Sequence, residues 1–161
     1  HHISLSGTEA PYLRALVNPP LRSEADRAAL IQAIADGTVD CISTDHAPHT
    51  ESDKAAGSPG FTGLETAYGV CNTVLVQNNV ITASRLSALM SENPAKLLNL
   101  NTGLFKEGYT ADFVLVNPTE QWVVDSSQFF SKGHATPQDG RTLVGRVHAT
   151  FFGGNMVYCL A

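Results

Sequence analysis

The chain has 161 residues, 43% of them hydrophobic, and 10 Lys and Arg stand against 15 Asp and Glu for a formal net charge of −5. That length holds one ordinary domain with a sizeable core, but it falls short of the roughly 250 residues of a closed (β/α)8 barrel. The acidic balance and the lack of a basic stripe exclude a general nucleic-acid binder. With no apolar run of membrane-spanning length and no secretory leader, neither a nucleic acid nor a membrane is expected as a partner.

Residues 1–6 (His1-His2-Ile3-Ser4-Leu5-Ser6) read as the end of a strand. A histidine pair at a chain start suggests a metal site or the remnant of a purification tag, and neither histidine is assigned as a ligand. Residues 7–17 read as loop. In Asn18-Pro19-Pro20-Leu21-Arg22 the prolines stiffen the backbone and favour an extended Asn18; taken alone, the segment is a turn before a helix. Ser23 caps that helix, with Asp26 at the capping-box position, Leu30, Ile31 and Ile34 facing inward, and Gly37 ending it. Val39-Asp40-Cys41-Ile42 then predicts a short buried strand.

This strand runs into Ser43-Thr44-Asp45-His46-Ala47-Pro48-His49, a polar turn that gathers one carboxylate and two imidazoles. Parallel α/β enzymes carry their chemistry at such strand ends; the plain alternative is a loop with two solvated histidines. Residues 50–63, rich in Gly, Ala, Ser and Pro, predict a mobile active-site loop in which Pro59-Gly60 forms a turn. Leu64, Ala67, Tyr68, Cys71 and Leu75 follow at helical spacing, as a core stripe. Thr82 caps a further helix through Leu86, Leu89 and Met90. Asn93-Pro94 predicts a fresh cap and first-turn proline for a short helix over Ala95-Lys96-Leu97-Leu98.

The character changes after about Leu100. Ala111–Val116, Trp122–Val124 and Val144–Phe152 are strand-like runs, and Gly153-Gly154-Asn155 signals a hairpin into Met156-Val157-Tyr158. Cys41, Cys71 and Cys159 are odd in number, widely spaced and set in apolar surroundings. They predict free thiols in a reducing cytosol, with Cys41 as buried filler.

Three motifs together, Asn18–Arg22, Ser43–His49 and Pro59-Gly60-Phe61-Thr62-Gly63-Leu64-Glu65-Thr66, resemble the C-terminal part of a dihydroorotase of the amidohydrolase superfamily. Asn93–Leu98 is similar to a segment common across that superfamily. The resemblance implies an α/β fold: residues 1–102 as the C-terminal part of a metal-dependent hydrolase TIM barrel, and residues 103–161 as C-terminal strands of a composite β-sandwich. It also implies that the chain is a fragment, inactive alone, whose sheet edge lacks partner strands. Ala135-Thr136-Pro137-Gln138 differs at two positions from the Asn-Thr-Pro-Phe of many dihydroorotases, and is expected to lie remote from the Asp45 motif.

The activity so implied is zinc-dependent, reversible cyclic-amide hydrolysis between N-carbamoyl-L-aspartate and L-dihydroorotate, in cytoplasmic pyrimidine synthesis. The zinc site would be binuclear. By the resemblance Asp45 is zinc ligand and general acid/base, while Asn18, His49 and the backbone at Pro59 and Gly60 bind substrate. His46 is either support for the ligand or a solvated turn residue, and the His1-His2 pair lies near the active-site rim. Other zinc ligands would lie outside this chain. Competing readings are an allantoinase, which usually has a small residue or Cys at the position of His49, a dihydropyrimidinase, and a silent dihydroorotase-like partner of aspartate transcarbamoylase. A homodimer is the other implied assembly.

Overall fold

The computed structural model describes residues 1–8 and 15–160; residues 9–14 of the loop expected over 7–17 lie outside them. Helix α1, Glu24–Ala35, starts where predicted. Ser23 Oγ accepts the Asp26 N–H, and Asp26 returns the bond to the Ser23 N–H, so two first-turn donors are satisfied reciprocally. Its inward face is narrower than expected: Ile34 is buried and Ile31 partly so, but Leu30 stays 39% exposed. A five-residue helix α2, Glu51–Ala55, interrupts the segment expected to be loop. Thr50 caps it in the same reciprocal way with Asp53.

Helix α3, Ala67–Cys71, continues through a wide π turn, Asn72–Val76. Helix α4, Ala83–Ser87, is capped by Thr82 and passes through a second π turn, Ala88–Glu92, into α5, Asn93–Leu97. Asn93 is therefore no cap. Its backbone is helical, flanked by helix on both sides, and its side-chain amide donates to the Asp40 carbonyl at 2.7 Å. Pro94 lacks the N–H that an unbroken α-helix would use, and the wider turn before it accommodates that loss.

The strand expected over Val39–Ile42 does not form a ladder. Val39 N–H reaches the Ala33 carbonyl, and Ile42 N–H reaches the Leu89 carbonyl of the π turn before α5. Helix backbone takes the bonds a neighbouring strand would have taken. Residues 1–5 likewise form a turn, closed by the His1 carbonyl onto the N–H groups of Ser4 and Leu5.

The last third is an antiparallel meander, β1 Phe113–Val123, β2 Thr142–Phe152 and β3 Asn155–Cys159, in the order β1-β2-β3. The runs 111–116 and 122–124 are one strand, irregular between Asn117 and Gln121, where Pro118 has no N–H for the ladder. Gly153 and Gly154, at φ 54° and 80°, make the two-residue hairpin turn whose hand matches the twist of its strands. Among the described residues neither β1 nor β3 has a further strand beside it, and Val114, Leu115, Met156 and Val157 are exposed there.

Helix α3 belongs to two cores. Cys71 and Leu75 pack with Ile34, Leu86 and Leu89, each buried apolar side chain contributing about 1.5–3 kcal/mol. Val70 packs with Val124 and Leu143 of the sheet side. Asn72 Nδ2 donates to the carbonyls of Pro118 and Val144, and Thr73 Oγ1 accepts the Val144 N–H, which fastens the helix to β2.

Candidate active site

The turn after Ile42 is built from side chains that satisfy its own backbone. Thr44 Oγ1 accepts the His46 N–H, and the Ala47 N–H reaches the Phe61 carbonyl. His46 Nδ1 accepts from both Gly63 and Leu64. His46 is thus not a free turn histidine: its ring is partly buried and holds the turn at residues 63–64. Between these anchors Asp45 adopts φ 49°, in the left-handed region that non-glycine residues avoid.

Asp45 lines a cleft of about 380 Å³ together with His1, His2, Pro19, Thr44 and Phe61. The His1 ring packs edge-on against Phe61, and its Nε2 is buried without a hydrogen-bond partner. Burial lowers the pKa of His2, and Asp45 opposes that shift. Cys71 closes the floor, its thiol pushed up to about 11 by burial. Asn18 is exposed beside the cleft-lining Pro19.

The remaining sequence-predicted residues, His49, Pro59 and Gly60, do not line this cleft. His49 is half-buried, Pro59 is exposed and Gly60 is buried. A side chain on Gly60 would meet Ala47 Cβ at 2.7 Å and His49 Nε2 at 3.2 Å, so this glycine lets the loop close on itself. Both backbone polar groups of Gly60 are engaged within the protein: its N–H donates to the Leu16 carbonyl, and its carbonyl accepts from Lys54 Nζ.

Three contributors escaped the sequence reading. Lys54 is 2% exposed although it sits among Glu51, Ser52 and Asp53, where nothing in the residue pattern marks a buried cation. Burial lowers its pKa, with Glu51 opposing. Glu65 receives the N–H groups of Phe130 and Ser131. Gly133 presses on the motif itself, since a Cβ there would lie 2.8 Å from both His49 N and His49 O. The segment expected to be remote is therefore adjacent. Ala135 O accepts the Thr62 N–H, Gly133 O accepts the Thr62 hydroxyl, and Ala135, Thr136 and Gln138 are buried. Sequence distance hid this contact, because the tail returns across more than seventy positions.

A sequence model of the Amidohydrolase family matches residues 1–157. The chain belongs to the amidohydrolase family. It is similar to the dihydroorotase of Clostridium botulinum (strain Eklund 17B / Type B), 46% identical over 158 residues that cover 98% of this chain and 39% of that protein. It is 43% identical to the dihydroorotase of Clostridioides difficile (strain 630), over 98% of this chain and 38% of that protein. Among solved structures, L-hydantoinase (dihydropyrimidinase) from Arthrobacter aurescens superposes with a TM-score of 0.90 at 27% identity, over 99% of this chain and 39% of that one. D-hydantoinase from Thermus sp. shares the fold with a TM-score of 0.87 at 21% identity, over 98% of this chain and 38% of that one. This amidohydrolase chain thus spans about two-fifths of the length of the proteins it matches, and it forms part of their TIM barrel with a small antiparallel sheet alongside.

A structural or catalytic zinc ion takes three or four His, Cys or carboxylate donors. Among the described residues no three such side chains converge. Among its described residues the amidohydrolase chain offers a carboxylate of the right donor type at Asp45 without completing a ligand set. No described helix is long and apolar enough to cross a membrane.

Proposed function

We propose that the protein carrying this chain is a zinc-dependent dihydroorotase of cytoplasmic pyrimidine biosynthesis, interconverting N-carbamoyl-L-aspartate and L-dihydroorotate. The observation that carries the reading is identity: 46% to a dihydroorotase across nearly the whole chain, against 27% to the hydantoinase of similar fold. Residues 1–102 are read as the barrel portion and residues 103–161 as part of a composite β-sandwich.

Opening a cyclic amide at neutral pH needs an activated water and a polarised carbonyl, and zinc, when bound, supplies both. Asp45 is the ligand this chain contributes. Its carboxylate takes the proton of the attacking water and delivers it to the ring nitrogen as the C–N bond breaks. The Asn18 amide can donate and accept at once, which suits a ring presenting carbonyl and N–H groups. A His49 ring N–H is available to the substrate carboxylate. Pro59 and Gly60 are assigned to the substrate side of the same loop. The cleft at Asp45 and the strained turn that carries it support the role given to Asp45.

The test is Asp45→Asn in the complete enzyme. Turnover should fall at least about 10²-fold in both directions, with circular dichroism and thermal melting unchanged. Wild-type-like turnover would remove Asp45 from the mechanism. A substrate panel decides the class: L-dihydroorotate should be preferred over hydantoin, dihydrouracil and allantoin, and the reverse preference would assign the chain to another cyclic amidohydrolase.

A further inference from the structure

Lys54 Nζ donates to three backbone carbonyls, those of Leu16 at 2.9 Å, Ser58 at 2.9 Å and Gly60 at 2.7 Å. An ammonium group has three N–H bonds and no acceptor, so each donor has one carbonyl. The residue is 2% exposed, and no carboxylate is among these partners. Burying a cation this way costs desolvation energy that an apolar side chain of similar length would not incur. What the ammonium adds is geometry. It draws to one point two segments more than 40 positions apart, residue 16 and residues 58–60. The Gly60 N–H reinforces the joint by donating to the same Leu16 carbonyl at 2.8 Å.

Both clasped segments lead directly into the residues assigned to substrate. Leu16 lies two positions before Asn18, and Ser58 and Gly60 bracket Pro59. Gly60 in turn backs the His49 ring, with its missing Cβ 3.2 Å from Nε2. We infer that Lys54 is a positioning residue, an ammonium clasp that sets Asn18, Pro59-Gly60 and His49 in register for the substrate ring. Lys54 is not among the residues that line the cleft at Asp45, and it acts through the segments it holds. The inference rests on the dihydroorotase reading.

Groups that only bind and orient substrate contribute equally to ground and transition states, so their displacement raises KM and spares kcat. In the complete enzyme, Lys54→Met should raise KM for L-dihydroorotate about 10-fold or more while kcat stays within about 3-fold, at a temperature where the variant is fully folded. Loss of stability alone would lower the apparent kcat in proportion to the unfolded fraction and leave KM unchanged, and that result overturns the proposal. Should Lys54→Met fail to fold, Lys54→Arg decides in its place. A planar guanidinium cannot meet three carbonyls at one nitrogen, so KM should still rise several-fold, and a wild-type KM overturns the clasp. Asp45→Asn run in parallel separates the two claims. If it abolishes turnover while Lys54→Met keeps a wild-type KM, the clasp alone fails; if Asp45→Asn retains turnover, the mechanism on which the clasp rests fails.

Discussion

At Asp45 the backbone is held at φ 49°, a conformation costing of order 1 kcal/mol for a residue with a Cβ. It persists because Thr44 Oγ1 and the Phe61 carbonyl hold the His46 and Ala47 N–H groups just after it, and the His46 ring is fixed by the N–H groups of residues 63 and 64. Strain so fixed is concentrated at functional sites, and here it falls on the one carboxylate of the motif. Gly133 is the residue that shows how tightly this turn is backed. In Gly133→Ala the new methyl would meet backbone atoms of His49 that cannot swing aside. The expected cost is about 1–3 kcal/mol, read as a lower urea midpoint; an unchanged midpoint would mean that the tail does not press on the motif. The motif itself was legible in the sequence because carboxylate, imidazole and proline announce their chemistry by type. Lys54 was not, because a lysine between acidic neighbours looks the same whether it faces water or three carbonyls.

Among the elements, the helix starts at Ser23 and Thr82 were legible, and the one expected barrel strand was not. Ser23 with Asp26 and Thr50 with Asp53 are local pairs three residues apart, so chain spacing alone brings them together. The second of these was missed only because Gly and Ser nearby suggested loop. Strand formation at Val39–Ile42 depends on a neighbour supplied from elsewhere, and here helix carbonyls take its N–H groups. On the sheet, Glu120 of β1 accepts from His148 and Arg146 of β2. The His148 bond, and then Arg146, hold the Glu120 carboxyl below its usual range. A folded pKa below the unfolded one stabilises above the ordinary glutamate range and is lost as pH falls through the folded value. Wild type should therefore be more stable than Glu120→Gln at pH 6, and the gap should close toward pH 3 in urea titrations. A gap independent of pH would show that the pair adds no ionic stability.

For the molecule as a whole, the joint between helices and sheet passes through Asn72, which is fully buried. Its amide donates to Pro118 O at 3.0 Å and Val144 O at 2.8 Å, on two strands at once. Asn72→Asp keeps the volume and removes both donors. Buried acceptors left unpaired cost about 1–3 kcal/mol, and a buried carboxylate more. The variant should lose at least about 2 kcal/mol, with amide exchange in β1 and β2 rising more than in α1. Uniform exchange across helices and sheet would show that Asn72 is not the fastening.

What the residues by themselves determined was local: the reciprocal cap of Ser23 with Asp26, the helical stripe through Cys71 and Leu75, the glycine hairpin and the polar turn at Asp45. Each depends on neighbours within a few positions, where covalent spacing dictates who meets whom. Only the tertiary structure decided that His46 holds a turn, that Lys54 clasps three carbonyls, and that the 133–138 segment lies beneath the motif. Those contacts join positions up to more than eighty residues apart, so they depend on how the chain packs and not on its local spacing.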